Sequence, residues 1–359
     1  MKSSALVIGA GYGGLLTANR LAARGHRVTL VNERAEFVDR IRLHEYVAGT
    51  RDHATRPLAT MLHHAVRFVQ GRATRIHPGR TPAATLSDGS THAADHLVLA
   101  VGSGAGLGPA GLDGATALRR QLHALPAGAR VLINGAGLTG IETATEIATA
   151  HPALRVLLHD PAGPLPTSSL RNRDWLRQRL PRLGVDLTDQ QAEADLTIDC
   201  TGFRVPALAA ESGLPVDAHG RVLLDDTLAV RGHDNLWGVG DAAVMASRPL
   251  RMACAVAEPM GGHVADGIGR YAAGQPVRPF NFGFGLQCVS LGRDDAMIVF
   301  VHRDDRPTTA RLTGRAGAWF KELVSTAAVV FPARFAQGYV WLGAPKRRPG
   351  RPAAIGAPA

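Results

Sequence analysis

The stretch Ala5-Leu6-Val7-Ile8-Gly9-Ala10-Gly11-Tyr12-Gly13-Gly14 decides how this chain folds. Its first four residues form a short apolar run of strand character. Residues 12–24 then place apolar or small side chains at Leu15, Leu16, Ala18, Leu21 and Ala22, the spacing of a helix. Between the two, Gly9 permits a tight turn, Gly11 lets backbone approach a pyrophosphate, and Gly14 lets the helix pack closely on the strand. The helix N-terminus offers N–H groups and a partial positive charge to phosphates. A β-branched strand at 27–31 follows, so the opening is the strand-helix-strand start of a parallel sheet. The residue that holds ribose hydroxyls lies about 20 positions on, at the end of that second strand. There the chain reads Val31-Asn32-Glu33-Arg34. Asn32, Glu33 or both are expected to hold the ribose, since an amide oxygen also accepts from a hydroxyl. The alternative is an Asn-Glu pair in a solvated turn.

Outward from this unit, 66–69, 84–86 and 97–101 read as strands, with Asp88-Gly89 as a tight turn and 102–114 as a Gly-rich connection. The pattern then restarts. A strand at 130–134 leads into Gly135-Ala136-Gly137-Leu138-Thr139-Gly140-Ile141-Glu142, a helix at 138–150 and a strand at 154–159 that ends in Asp160. An acidic residue there favours NADH, because it repels the 2′-phosphate of NADPH; His159 and Arg155 could offset that preference. A helix at 170–183 and a strand at 196–199 complete the repeat. Two such turns on one chain imply two dinucleotides, and the useful pairing is FAD with NADH or NADPH. A third motif, Leu236-Trp237-Gly238-Val239-Gly240-Asp241-Ala242-Ala243, leads a strand into a Gly-Asp turn. Its carboxylate and adjacent amides suit the ribityl chain and phosphates of FAD.

Composition narrows the class. The chain has 359 residues, 45% of them hydrophobic and only 5% aromatic, and a formal charge of +10. Lysine occurs only at Lys2, Lys321 and Lys346, while the arginines are scattered. A solvated basic surface is therefore expected, and no nucleic-acid partner. Cys200, Cys254 and Cys288 are widely spaced, which suggests neither a disulfide framework nor a metal site. The N-terminus lacks a signal peptide's apolar core, and no run reaches the roughly 18 apolar residues of a membrane span. The expectation is a cytoplasmic protein with reduced thiols.

Taken in order, Gly9-x-Gly11-x-x-Gly14, Leu97-Val98-Leu99-Ala100-Val101-Gly102-Ser103, Gly135-x-Gly137-x-x-Gly140-x-Glu142, Thr201-Gly202 and Gly238-Val239-Gly240-Asp241 resemble the two-dinucleotide-binding-domain flavoproteins. Within them the chain is similar to the type II NADH dehydrogenase and apoptosis-inducing-factor-like branch, including its loop Glu36-Phe37-Val38-Asp39-Arg40-Ile41-Arg42-Leu43-His44. The resemblance covers roughly residues 4–325. It implies that Gly102, Gly240 and Asp241 contact FAD, that Arg42 in the loop does so too, and that backbone near Ala73 faces the adenine. Three departures stand out. No redox-active cysteine pair follows the first helix, which argues against disulfide reduction. Only residues 188–194 separate Gly184-Val185-Asp186-Leu187 from the next strand, so the second nucleotide unit is short. Pro259 and Met260, in Cys254-Ala255-Val256-Ala257-Glu258-Pro259-Met260-Gly261, stand where the family carries paired glutamines beside its quinone.

The expected fold is α/β: two Rossmann-like dinucleotide-binding domains, one for FAD and a shortened one for NAD(P), plus a small α+β C-terminal segment. The layout is 1–115 (FAD domain, first part), 116–205 (trimmed NAD(P) domain), 206–275 (FAD domain, second part), 276–345 (C-terminal interface segment) and 346–359 (disordered basic tail). The flavin carries the hard chemistry. His44 and Glu258 are candidate proton donors; the bland alternatives are a surface histidine and a solvated helix-end charge. Cys254 reads as a small buried apolar residue. Trp319-Phe320-Lys321-Glu322-Leu323-Val324 and Tyr339-Val340-Trp341-Leu342 invite peripheral membrane contact, with Pro332 breaking the helical pattern between them; packing on the body or on a second subunit of a homodimer is the alternative. Three functions compete. One is an NAD(P)H-dependent FAD oxidoreductase with a small quinone-like or aromatic acceptor. The second is an FAD-dependent oxidase or dehydrogenase of a small metabolite with a vestigial nicotinamide site. The third is an FAD-binding redox sensor or scaffold.

Overall fold

The computed structural model describes residues 2–104, 109 and 111–344; the expected tail at 346–359 lies outside them. The strand Ser4–Ile8 pairs in parallel with Arg27–Asn32 on one side and with His96–Leu99 on the other. Val66–Gln70 and Leu236–Gly238 complete a five-stranded sheet. In chain order its strands run third, second, first, fourth, fifth. Ala5, Leu6, Val7, Leu97 and Val98 are buried, as strands with both faces covered require. The second sheet repeats the order with Val185–Thr188, Arg155–His159, Arg130–Asn134 and Leu196–Asp199, all parallel. In such sheets ligands bind beyond the carboxyl ends of the strands, where the order reverses. The two glycine turns sit there.

The first helix, Tyr12–Ala23, is buried along nearly its whole length because the long helix Cys254–Ala272 packs over it. The approach is close. A Cβ on Gly261 would come within 2.3 Å of the Gly13 carbonyl, and one on Gly13 within 2.6 Å of the Ala257 carbonyl. Downstream, antiparallel strands Leu286–Ser290, Ala296–Val301 and Pro307–Thr313 lead into the helix Gly314–Arg334.

Several expected boundaries move for physical reasons. The fourth strand of the first sheet ends at Leu99, not at 101. The helix expected over 170–183 is Leu170–Arg179 followed by a separate tight turn, Pro181–Leu183, because Pro181 cannot donate the next helical bond. A helix at Leu112–His123 occupies the end of the stretch read as a connection. Pro332 does not break the C-terminal helix, which continues to Arg334. The proline falls in the last turn, where one lost bond is tolerable, and the Asn19 amide donates to its carbonyl at 2.9 Å. Ala73 opens a strand, Ala73–His77, just past the edge of the first sheet, where Gly71 donates to the Asn32 carbonyl. Among the described residues no helix is long and apolar enough to cross a membrane.

Candidate functional site

The first turn is built by backbone alone. Gly9 adopts φ +104°, a region that side chains avoid, and its N–H donates to the Val31 carbonyl at 2.8 Å. A Cβ on Gly14 would lie 2.0 Å from the Gly9 carbonyl oxygen, so helix and strand can meet only through glycine. Gly11 differs: among the described residues a Cβ there would meet nothing within 4 Å, and no side chain caps the helix it starts. The result is an open cradle of unsatisfied N–H groups at a helix N-terminus, the donor set that a diphosphate fits. Asn32 braces it. Its Oδ1 accepts from the Ala10 N–H at 3.0 Å, and its Nδ2 donates to the Arg34 carbonyl at 2.9 Å. Glu33 points outward, 57% exposed, with Arg72 at 3.6 Å.

Gly102 and Gly240-Asp241 converge beside this cradle. Ser103 Oγ donates to Asp241 Oδ2 at 2.6 Å. Arg40 Nη2 donates to Ser103 Oγ at 3.2 Å, and Arg40 Nη1 lies 3.7 Å from Asp241 Oδ2. The arginine of the loop that reaches this point is therefore Arg40. Arg42 is buried elsewhere, forked onto Glu322 at 2.5 Å through each Nη and bonded to Glu45 at 2.8 Å. The one-turn segment Arg40–Arg42 rotates the two guanidinium groups apart. Tyr12 closes the loop side, donating to Asp39 Oδ1 at 2.7 Å with its ring edge-on to Phe37.

The second turn copies the first. Gly135 adopts φ +92° and donates to the His159 carbonyl at 2.8 Å; a Cβ on Gly140 would collide with the Gly135 carbonyl, and Gly137 is open. Asp160 takes the place of Asn32: Oδ2 accepts from Ala136 N–H and Oδ1 from Ala162 N–H, each at 2.9 Å. A cleft of about 370 Å³ opens here, lined by Asn134, Asp160, Gln191, Asp199 and Thr201 among others. Asn134 Oδ1 is buried beside it with no hydrogen-bond partner among the described residues. An orphaned acceptor on an open cradle fits a nucleotide. Arg155 begins the strand that Asp160 follows, so it stands at the far end from the turn.

A charged cluster lies between the two units. Lys321, on the C-terminal helix, donates to Glu142 Oε1 at 2.7 Å, and Glu142 also accepts from Ser290 N–H. Burial opposes both charges. The pair nevertheless holds Glu142 below, and Lys321 above, its ordinary range. His44 is buried, not superficial, with Nδ1 3.9 Å from Glu142 and Nε2 4.0 Å from Glu45; Nε2 has no hydrogen-bond partner among the described residues. Burial opposes the Glu45 charge, but His44, Arg42 and Arg51 bring its pKa down to about 2.

Glu258 is not a solvated helix-end charge either. It is 5% exposed, and burial pushes its pKa up to about 8 against the opposing pull of the Tyr339 hydroxyl. Cys254, four residues earlier, is pushed up to about 12 by burial, with Glu258 raising it further. Tyr12, Asp241, Lys321, Glu258 and Tyr339 each come into electrostatic reach of it. Lys321, Tyr339 and Arg40 are the site residues that sequence reasoning did not single out. Lys321 carried one signal, as one of only three lysines in the chain.

The family described as pyridine nucleotide-disulphide oxidoreductase matches residues 3–190. A type II NADH:quinone oxidoreductase of Staphylococcus haemolyticus is 25% identical over 395 residues, covering 91% of this chain and 95% of its own. An NADH dehydrogenase-like protein of Mycobacterium tuberculosis is 30% identical over 351 residues, with 81% and 86% covered. The solved structure of NDH2 from Plasmodium falciparum in complex with NADH is similar in fold, with a TM-score of 0.78 at 13% identity over 94% of this chain and 97% of that one.

Proposed function

This chain belongs to the pyridine nucleotide-disulphide oxidoreductase family, and from that premise we propose that it takes hydride from NADH and passes electrons to a small quinone-like or aromatic acceptor. The observation that carries this reading is the duplicate turn. Two cradles of one geometry stand on one chain, and the second opens into a cleft with an orphaned acceptor. A vestigial nicotinamide site would have no reason to keep either feature.

In this reading Gly9, Gly11 and Gly14 hold the FAD diphosphate, Asn32 the adenosine ribose, and backbone near Ala73 faces the adenine. Glu33, on the surface, contributes less than Asn32. Gly102, Ser103, Arg40, Gly240 and Asp241 grip the ribityl end. Gly135, Gly137 and Gly140 hold the NADH diphosphate, with the Asp160 carboxylate disfavouring a 2′-phosphate. Residues 1–115 and 206–275 thereby form the FAD unit, 116–205 the nicotinamide unit and 276–345 a covering segment. When bound, FAD supplies the hydride and electron-transfer chemistry. The chain's own work is to orient and to manage protons. Lys321 fixes Glu142 between the two cradles, and His44 is set beside Glu142 and Glu45 there. Glu258 stays protonated at neutral pH and donates to the acceptor.

Trp319, Leu323, Phe331, Phe335 and Val340 are exposed along the C-terminal helix and the segment after it. They support peripheral contact with a lipid surface. Flotation with phosphatidylglycerol vesicles tests this: the protein should float, and Trp319→Glu with Leu323→Glu should remain at the bottom.

The test of the main reading is anaerobic addition of NADH to the purified yellow protein. Rapid loss of the visible flavin band is expected. Bleaching by a metabolite but not by NADH would favour an oxidase, and a persistent charge-transfer band without turnover would favour a sensor or scaffold.

A further inference from the structure

Just before the helix Cys254–Ala272 the chain carries Arg251. Its guanidinium carbon sits 4.8 Å from the centre of the Phe284 ring, and its Nε lies 3.2 Å from Asp305 Oδ2. That Nε is buried, yet among the described residues its N–H makes no hydrogen bond. Gln287, on the strand Leu286–Ser290, is in a similar position. Its Nε2 reaches Asp305 Oδ1 at 3.5 Å, while its Oε1 is buried with no partner among the described residues. Burial pulls the Arg251 pKa below its ordinary value against the attraction of Asp305. The group nevertheless stays charged, as guanidinium does in proteins. A desolvated charge with an idle donor is unfavourable until a ligand completes it.

The place of this charge decides what completes it. Arg251 lines one small cavity with Gly240, Asp241, Ala253 and Val256, whereas Asp305 does not. The positive end of the Arg251–Asp305 pair is therefore the end on the cavity. Arg221 and Arg248 line it too, so among the described residues three guanidinium groups face one carboxylate, that of Asp241. Arg221 is committed to Asp217 at 2.8 Å. Arg251, Asp241 and Lys321 all lie in electrostatic reach of Cys254. Arg251 thus stands near both the Asp241 grip and the Lys321–Glu142 pair.

We propose that Arg251 lends its charge to the flavin end of bound FAD and makes that flavin easier to reduce. This rests on the reading of Gly240-Asp241 as part of the FAD site. A hydride carries two electrons and one proton from NADH, which leaves as NAD+, and it adds one negative charge to a neutral ring. The Arg251 charge and its idle Nε–H stabilise that added charge, because a charge acts strongly where water is excluded. Phe284 against the guanidinium and Asp305 at its side hold it in place. Asp305 adopts φ +68° in a turn where its N–H donates to the His302 carbonyl at 2.9 Å. Asparagine tolerates that backbone as aspartate does, so Asp305→Asn removes the countercharge and keeps the turn.

The experiment measures the midpoint potential of the flavin in the FAD-loaded protein. Protein and a reference dye are reduced together by dithionite, so no NADH is needed. Arg251→Gln should shift the two-electron equilibrium roughly tenfold toward oxidised flavin, a potential about 30 mV lower. Arg251→Lys keeps the charge and should stay within roughly threefold of the wild type. Asp305→Asn should shift the equilibrium the other way, by roughly threefold or more. An unchanged midpoint in Arg251→Gln, or an equal fall in Arg251→Lys, would overturn the proposal. If Arg251→Gln retains no FAD, Asp305→Asn decides, and a midpoint that does not rise would be fatal. Should the wild type hold flavin that NADH fails to bleach, the donor assignment falls, while the dye titration still judges Arg251.

Discussion

Gly9 and Gly135 turn the chain at φ of +104° and +92°, and Gly11 and Gly137 start their helices at φ/ψ of −71°/−174° and −73°/−172°. Ala10 and Ala136 donate to the strand-end residues Asn32 and Asp160 at 3.0 and 2.9 Å. The backbone of the two cradles is the same, but their surroundings are not. Over the first lies the helix Cys254–Ala272, close enough that Gly13 and Gly261 must lack side chains, and the Tyr12–Asp39 contact closes its loop side. The second opens into the cleft beside Asn134. A glycine turn specifies a dinucleotide, whereas enclosure decides whether that dinucleotide stays or exchanges. The strand-end residue differs accordingly. A neutral amide braces the enclosed turn, and a carboxylate braces the open one, where it can select between nicotinamide cofactors.

The harshest way to break the comparison is Gly14→Leu. Its Cβ is forced to within 2.0 Å of the Gly9 oxygen, so turn and helix must part. A loss of about 3 kcal/mol or more is expected, with no flavin retained. Urea unfolding and the absorbance of desalted protein check this. Gly137→Leu sharpens the contrast, because its side chain meets open space at an unstrained φ. Stability and bound FAD should persist, while NADH binding weakens roughly a hundredfold or more as two charge-assisted N–H contacts are blocked. Calorimetric titration with NADH measures that. The smallest effect is expected from Asp160→Ser, which keeps an oxygen for Ala136 but removes the charge. The preference for NADH over NADPH, read as a ratio of kcat/KM values, should fall roughly tenfold.

The features legible in the sequence are those that backbone geometry demands. Gly9, Gly14, Gly135 and Gly140 admit no other residue, and Gly240-Asp241 follows its strand directly, so both turns, the FAD motif and the α/β fold can be read from the residues alone. Contacts made by side chains across long separations cannot. Lys321 and Glu142 lie 179 positions apart, and Arg20 and Tyr339 lie 319 apart; no local pattern marks such pairs. Arg40 and Arg42 are indistinguishable in sequence because a single tight turn decides which guanidinium faces Asp241 and which faces Glu322. His44 and Glu258 look equally at home on a surface, since burial of a lone charge is set by the elements that later close over it. Pro332 misleads because a proline's cost depends on where the helix ends, which the Asn19 contact helps to settle.

Native mass spectrometry of the purified protein tests the central claim most directly. The expected result is one FAD per chain that survives desalting, and a nicotinamide dinucleotide that adds to the same FAD-loaded particle and leaves when desalted. A chain that binds the two ligands only in competition, or that emerges without flavin and takes none up, would contradict it.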